Sequence, residues 1–141
     1  MTDKLEDLEK QFIMNEDMEH EDIAILISHI LKFCKVDNKG FVLVNDKKLK
    51  IANRVLLILS ARYLGNKLQQ KRGKEVTITE SMTAKELAGM LKEKDTVIIA
   101  RLKDLKDDSK VIPQDRGVYK VAPYAIADFL TELEGVKNER K

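Results

Sequence analysis

The segment 51–70, IANRVLLILSARYLGNKLQQ, constrains the fold of this chain more than any other feature. As a helix it has about five and a half turns, with apolar side chains on almost all sides. Because a helix that is apolar on several sides must be buried on several sides, we predict that it is the central helix of the fold. Its basic residues lie near its two ends, as expected if only the ends reach water. The 141 residues suffice for one compact domain, or for a small domain with an added arm.

Two amphipathic helices are predicted before this segment, over residues 3–14 and 21–35. Residues 37–40 then break the helical pattern, and the β-rich sequence FVLV at 41–44 predicts a strand that a turn at 45–46 follows. The apolar stripes consist of Leu5, Leu8 and Phe12 in the first helix and of Ile23, Leu26, Ile27, Ile30 and Cys34 in the second.

Two more helices are predicted after the central one. The alternating sequence EVTIT at 75–79 predicts a short strand. Thr83 followed by Glu86 forms a capping box that begins the helix AKELAGMLKEK. Asp95 is predicted to cap the next helix, TVIIARLKDLKDD. The core stripe of that helix consists of Ile98, Leu102 and Leu105.

The C-terminal part of the chain predicts a β-hairpin and a last helix. The sequences KVIP and VYKV flank residues 114–117, which form the hairpin turn. Pro123 begins the final helix over 124–134, and Gly135 ends it. We find no internal repeat.

Charge is unevenly distributed, although the net charge is only +2. Residues 1–22 carry nine acidic and two basic side chains, whereas residues 46–74 carry nine basic side chains and the single acid Asp46. An acidic head on a basic body indicates a polyanionic partner or acidic–basic contacts between subunits. The alternative is a solvated surface on which charges of one sign happen to cluster.

Several classes of function are not predicted. Aromatic residues make up only 5% of the chain and Trp is absent, which argues against a stacking platform for single-stranded nucleic acid. No apolar run is long enough to span a bilayer, and the N-terminus lacks the pattern of a signal peptide, so we expect a cytoplasmic protein with no membrane partner. No hydrolase, metalloprotease, phosphate-loop or dinucleotide motif is present. We therefore predict no enzyme activity, no cofactor and no metal site.

Three single residues have alternative interpretations. His20 with Glu16, Asp17 and Glu21 has the helical spacing of a metal site, but we favour a solvated acidic run. His29 is expected to be an exposed or partly buried helix residue without a catalytic partner. The lone cysteine, Cys34, cannot form an internal disulfide and is expected to be a small core residue.

The segment 83–123, TAKELAGMLKEKDTVIIARLKDLKDDSKVIPQDRGVYKVAP, resembles a winged helix-turn-helix domain. The matching features are the capped T-A-K-E-L-A opening, the short turn, the I-x-x-x-L-x-x-L helix and a basic hairpin with R-G-x-Y. With the strand at 75–79 and the central helix, the resemblance extends over about residues 50–123, and the whole looks like small archaeal winged-helix proteins. It implies a mainly α fold with a small β-wing and added N-terminal helices. The implied division is an N-terminal helical arm at 1–38, the winged domain at 39–123, and a C-terminal helix and tail at 124–141.

The resemblance also implies a set of DNA-contacting residues. In the family, the second helix of the motif, here Asp95 to Asp107, lies in the major groove, and the tip of the wing touches the backbone or the minor groove. With the core stripe inward, Ile99 and Ala100 face outward where polar base-reading side chains are usual; they can contact a thymine methyl group but cannot form bidentate hydrogen bonds to bases. The implied contact residues are Thr96, Ile99, Ala100, Arg101, Lys103 and Lys106 on the helix and Arg116 at the wing tip.

Two functions follow as hypotheses. The first is a transcriptional regulator that binds double-stranded DNA, in agreement with the resemblance and with the basic stretch at 46–74. The second is a protein–protein interaction module on the same fold. It is favoured by outward-facing Ile99 and Ala100 and by the nearby acids, which repel phosphate: Asp104, Asp107 and Asp108.

The first two helices predict self-association. Their apolar residues exceed what one small domain needs, and large exposed apolar stripes usually mark an interface. We therefore expect a homodimer formed mainly by these helices, with the last helix as a further contributor. The alternative is a monomer in which both helices fold back on their own domain. The residues concerned are Leu5, Leu8, Phe12, Ile23, Leu26, Ile27, Ile30, Leu31 and Phe33.

Overall fold

The computed structural model describes residues 4–12 and 20–139 as a mainly helical chain with small antiparallel sheets. The described helices are α1 (Lys4–Phe12), α2 (His20–Ile30), α3 (Ile51–Lys71), α4 (Ala84–Leu91), α5 (Asp95–Asp107) and α6 (Ile126–Glu139). The described strands are β1 (Cys34–Val36), β2 (Val42–Val44), β3 (Met82–Thr83), β4 (Val111–Gln114) and β5 (Val118–Val121). Strands β1 and β2 form a hairpin, and β5 lies between β3 and β4 in a second sheet. None of the described helices has the length and apolar character needed to cross a membrane.

Helix α3 is the centre of the molecule, which confirms the prediction from its composition. Every residue from position 55 to position 66 is buried. Helices α2, α4 and α5 and strands β1, β2 and β5 all contact it. The expectation that its basic residues reach water at its ends is wrong for Arg62, which is buried near the middle of the helix.

The predicted helix 21–35 ends earlier than its pattern indicates. Helix α2 stops at Ile30, and Cys34–Val36 pairs instead with β2, with Lys35 opposite Leu43. In the strand, Cys34 faces the core and Lys35 faces water. The hairpin therefore pairs the backbone groups of this segment and also places its apolar side chain inside and its charged side chain outside. Cys34 is a core residue as predicted, and its burial raises the pKa of its thiol to about 12.

The predicted strand at 75–79 does not form, because side chains of α3 make the backbone hydrogen bonds that a neighbouring strand would make. The Gln69 side-chain oxygen accepts the backbone N–H groups of Thr77 and Ile78, each at 2.9 Å. Asn66 donates to the Ile78 carbonyl at 2.7 Å. The strand of this region is β3, a few residues later, which pairs with β5.

The C-terminal elements partly match their prediction. The hairpin of β4 and β5 is confirmed. A short 3-10 turn at Pro123–Ala125 precedes α6, and α6 continues through Gly135 to Glu139 instead of ending at the glycine. Glycine inside a helix costs only about 1 kcal/mol relative to alanine, so a single glycine does not by itself end a helix.

The N-terminal helices differ in how they pack. In α2 and the turn after it, the apolar side chains proposed for the dimer are mostly buried in their own chain, which corrects their assignment to an interface. Leu5, Leu8 and Leu31 are exposed. The side chains of Phe12 and of the acidic group Glu16, Asp17, His20 and Glu21 lie outside the part that the structure describes. The buried residues are Ile23, Leu26, Ile30 and Phe33.

A small polar cluster joins α2 to α6. His29 Nε2 donates to Glu134 Oε2 at 2.7 Å, and Lys32 Nζ donates to Glu134 Oε1 at 2.8 Å. Two hydrogen bonds hold the pKa of Glu134 below its ordinary value. The one from Lys32 has the larger effect, and the one from His29 has the smaller effect. The cluster therefore stabilises the docking of α6 when Glu134 is ionised.

Replacing Glu134 by glutamine is expected to lower the melting temperature by an amount that depends on pH. Since the pKa of Glu134 is lower in the folded protein, its contribution to stability is complete above the unfolded pKa and is lost as the pH falls through the folded value. The melting temperature of the parent should thus exceed that of Glu134→Gln near neutral pH, and the two melting temperatures should converge in acid. Thermal unfolding of both proteins between neutral and acidic pH measures this difference, with Glu75→Gln, an exposed glutamate outside the helices, as the control. A difference that stays constant with pH would contradict this role.

Candidate nucleic-acid interface

Local capping holds the start of α4, and a tight turn joins α4 to α5. Thr83 Oγ1 accepts the backbone N–H of Glu86 at 3.1 Å, and Glu86 accepts the backbone N–H of Thr83 at 3.1 Å, which confirms the predicted capping box. Lys92 ends α4 in the left-handed conformation, with φ of 57°. The N-cap of α5 is Lys94, so the predicted cap, Asp95, is instead the first residue of the helix. There its negative charge interacts favourably with the positive end of the helix dipole.

Helix α5 has one buried face and one face in water. Ile98, Leu102 and Leu105 are buried against the core, as predicted. Ile99 is 53% exposed, which is unusual for an isoleucine. All of the residues predicted to face outward are exposed, namely Thr96, Ile99, Ala100, Arg101, Lys103 and Lys106.

The exposed face of α5 carries charges of both signs. The helix carries three basic and three acidic side chains and has no net charge. Arg101 forms an ion pair with Asp104 at 3.2 Å, so part of its charge is locally compensated. Lys103 and Lys106 are the exposed cations of the helix that take part in no ion pair among the described residues.

The loop between β4 and β5 presents an arginine. Arg116 is exposed, and both Arg116 and Gly117 have positive φ, at 65° and 71°. Strand β5 leads away from this loop and pairs with β3, which continues directly into α4. The sheet therefore links the base of the Arg116 loop to the start of the two-helix unit.

The basic stretch 46–74 does not form one surface. Arg54 contacts Glu93 at 3.6 Å, Lys67 contacts Glu80 at 3.8 Å, and Arg62 is buried. The exposed cations fall into two groups at opposite ends of α3, about 30 Å apart by the helical rise. These groups are Lys47, Lys48 and Lys50 at one end and Lys71, Arg72 and Lys74 at the other.

The structure adds cations that the sequence interpretation missed. Lys92 and Lys94 are exposed in the turn between α4 and α5, next to the beginning of α5. Lys92 and Lys47 line the same groove, so the group at the start of α3 is close to this turn. The signal in the sequence is the pair of lysines on either side of Glu93, which the helical pattern alone places at the end of a helix.

Comparison of the chain with protein-family models, with curated protein sequences and with solved structures gives no match.

Proposed function

We propose that this protein is a winged helix-turn-helix protein that binds double-stranded DNA as a cytoplasmic transcriptional regulator. The observation that supports this most is the order of the elements. In the fold that the resemblance implies, a helix and a short strand precede the two helices of the motif, and a hairpin follows them. The elements α3, β3, α4, α5, β4 and β5 have this order, and the short strand β3 joins the hairpin in one sheet.

In this proposal α5 enters the major groove with its exposed face toward the bases. Lys103 and Lys106 neutralise phosphates, and Arg116 contacts the backbone or the minor groove from the hairpin loop. Thr96 donates a hydrogen bond to a base edge or a phosphate, while Ile99 and Ala100 form apolar contacts to thymine methyl groups. Such a face discriminates weakly between sequences, since most of its polar contacts are to the backbone.

Salt dependence tests the proposal directly. A site that neutralises about three phosphates, through Lys103, Lys106 and Arg116, loses roughly 40-fold in affinity between 50 and 200 mM salt. Titration of a duplex of mixed sequence at these two concentrations, followed by fluorescence anisotropy, measures this loss. Absence of binding at the lower concentration would overturn the proposal.

Replacing Arg116 by alanine should weaken DNA binding by a similar factor for unrelated sequences. A contact to the backbone contributes affinity but little sequence information, and removing one phosphate contact lowers the salt slope by about one. The matched control is Lys74→Ala, which removes an exposed cation at the far end of α3. Equal affinities of Arg116→Ala and the parent would exclude the hairpin loop from the interface.

A protein–protein interaction through the same face is the second candidate. The exposure of Ile99, next to exposed Ala100 on a helix without net charge, favours it. An apolar interface of this kind changes little in affinity with salt, in contrast to DNA binding. Replacing Ile99 by aspartate should abolish such an interaction, whereas Lys103→Ala and Lys106→Ala should leave it nearly unchanged.

A further inference from the structure

An open groove separates the β1–β2 hairpin from the end of α4. Its volume is about 240 Å³, which is below the usual size of small-molecule pockets. Its walls are mostly apolar, with cations at the rim. The lining includes the apolar side chains of Phe41, Leu43, Met90 and Leu91 and the cations Lys47 and Lys92.

The groove has the features of a docking site for an amphipathic segment. Phe41 and Leu43 are large apolar side chains that face water, and Leu43 is 58% exposed. Arg54 at the rim is paired with Glu93, whereas Lys47 and Lys92 are exposed and in no ion pair among the described residues. A fitting occupant therefore has apolar side chains on one face and acidic side chains beside them.

Helix α1 has this complementary character. Leu5 and Leu8 lie on one face at a spacing of three residues, and Leu5 is 75% exposed. Glu6, Asp7 and Glu9 are exposed around them. A helix of nine residues is too short to be stable alone in water, so α1 needs a surface to pack against.

We propose that α1 of one chain docks into this groove of a second copy, and that the partner returns the same contact. Within one chain the leucines of α1 are exposed at the same time as Phe41 and Leu43 of the groove, so this chain's own α1 does not cover these two side chains. Leu5 and Leu8 pack on Phe41 and Leu43, while the α1 acids face Lys47 and Lys92. A twofold arrangement gives two identical contacts, in the helix-in-groove mode. The inference goes beyond DNA binding and does not depend on it.

A charge exchange between two full-length variants tests this contact. The α1 variant carries Glu6→Lys and Glu9→Lys, and the groove variant carries Lys47→Glu and Lys92→Glu. Each variant alone places like charges in both contacts, so its mass in sedimentation should fall from twice the 16.2 kDa of the chain to that of one chain. Mixed together they restore opposite charges in both contacts, so the dimer should return.

The control for the groove variant is Lys71→Glu with Lys74→Glu, which makes the same change in net charge as that variant at exposed sites away from the groove and should leave the dimer intact. A parent protein that sediments as a monomer at tens of micromolar would overturn the proposal. So would dimers of both variants at the strength of the parent, since the interface would then lie elsewhere. Loss of the dimer in each variant without its return on mixing would also overturn it, because reciprocal docking requires the restored charge pairs to act between chains.

Discussion

Replacing Leu64 by alanine is expected to lower the free energy of unfolding by about 2–5 kcal/mol. Leu64 is 1% exposed and lies in the continuously buried part of α3, against which most other elements pack. The substitution removes apolar contacts and leaves a cavity that close-packed neighbours cannot fill. Because a domain of this size is stable by only about 5–15 kcal/mol, the melting temperature should fall clearly in a thermal scan.

The control for this prediction lies one turn further along the same helix. Leu68 is 41% exposed, so Leu68→Ala removes the same atoms with a smaller loss of buried surface than Leu64→Ala. Its effect should be clearly smaller, because the cost of such a truncation grows with the apolar surface and the cavity volume it removes from the interior. Equal effects of the two substitutions would show that α3 is not the centre of the core.

Replacing Arg62 by alanine is expected to cost about 2–5 kcal/mol, because each acceptor that loses its donor inside the protein costs about 1–3 kcal/mol. The Arg62 guanidinium donates to the carbonyls of Gly40 and Thr79, each at 2.7 Å, and also to the Thr79 hydroxyl. Burial lowers the pKa of Arg62 from its ordinary value, and these hydrogen bonds offset the cost of burying the charge. Without Arg62 two carbonyls lose their donors, and the loops around residues 40 and 79 lose the group that joins them to α3.

Two further variants separate this role from a simple loss of volume. Arg62→Lys keeps the charge, but its three donors lie on a single nitrogen and cannot span the two loops as the three guanidinium nitrogens do, so its stability should lie between those of the parent and Arg62→Ala. Arg72→Ala removes an exposed arginine from the residue that follows α3 and should change stability by no more than about 0.5 kcal/mol. Chemical denaturation measures all three variants. The network role is wrong if Arg62→Ala unfolds at the same denaturant concentration as Arg72→Ala.

Gly40 belongs to the same network. Its φ is +93°, and a Cβ atom there would lie 2.3 Å from Arg62 Nη1. Both the backbone conformation and the close approach of the guanidinium therefore require glycine at this position. The sequence pattern indicated only a break between two elements, because the arginine that packs there is 22 residues away.

Features set by near neighbours in the chain were predictable from the sequence. The burial of α3 follows from apolar side chains on all its sides, and the capping box from Thr83 and Glu86 three residues apart. The faces of α5 follow from the helical period, and the hairpin of β4 and β5 from its turn residues. In each case the interacting residues are close in sequence, so their types and spacing suffice.

Features set by partners distant in sequence were decided only by the tertiary structure. Cys34 belongs to the apolar stripe of a helix by spacing, but pairing with β2 makes it part of a strand. The segment 75–79 alternates like a strand, yet Asn66 and Gln69 of α3 take its backbone hydrogen bonds. The basic stretch 46–74 is continuous in sequence, but the 21 residues of α3 separate its exposed cations into two groups and bury Arg62 between them. Composition and spacing determine which side chains need burial or a partner, whereas the packing of distant segments determines which partner each of them meets.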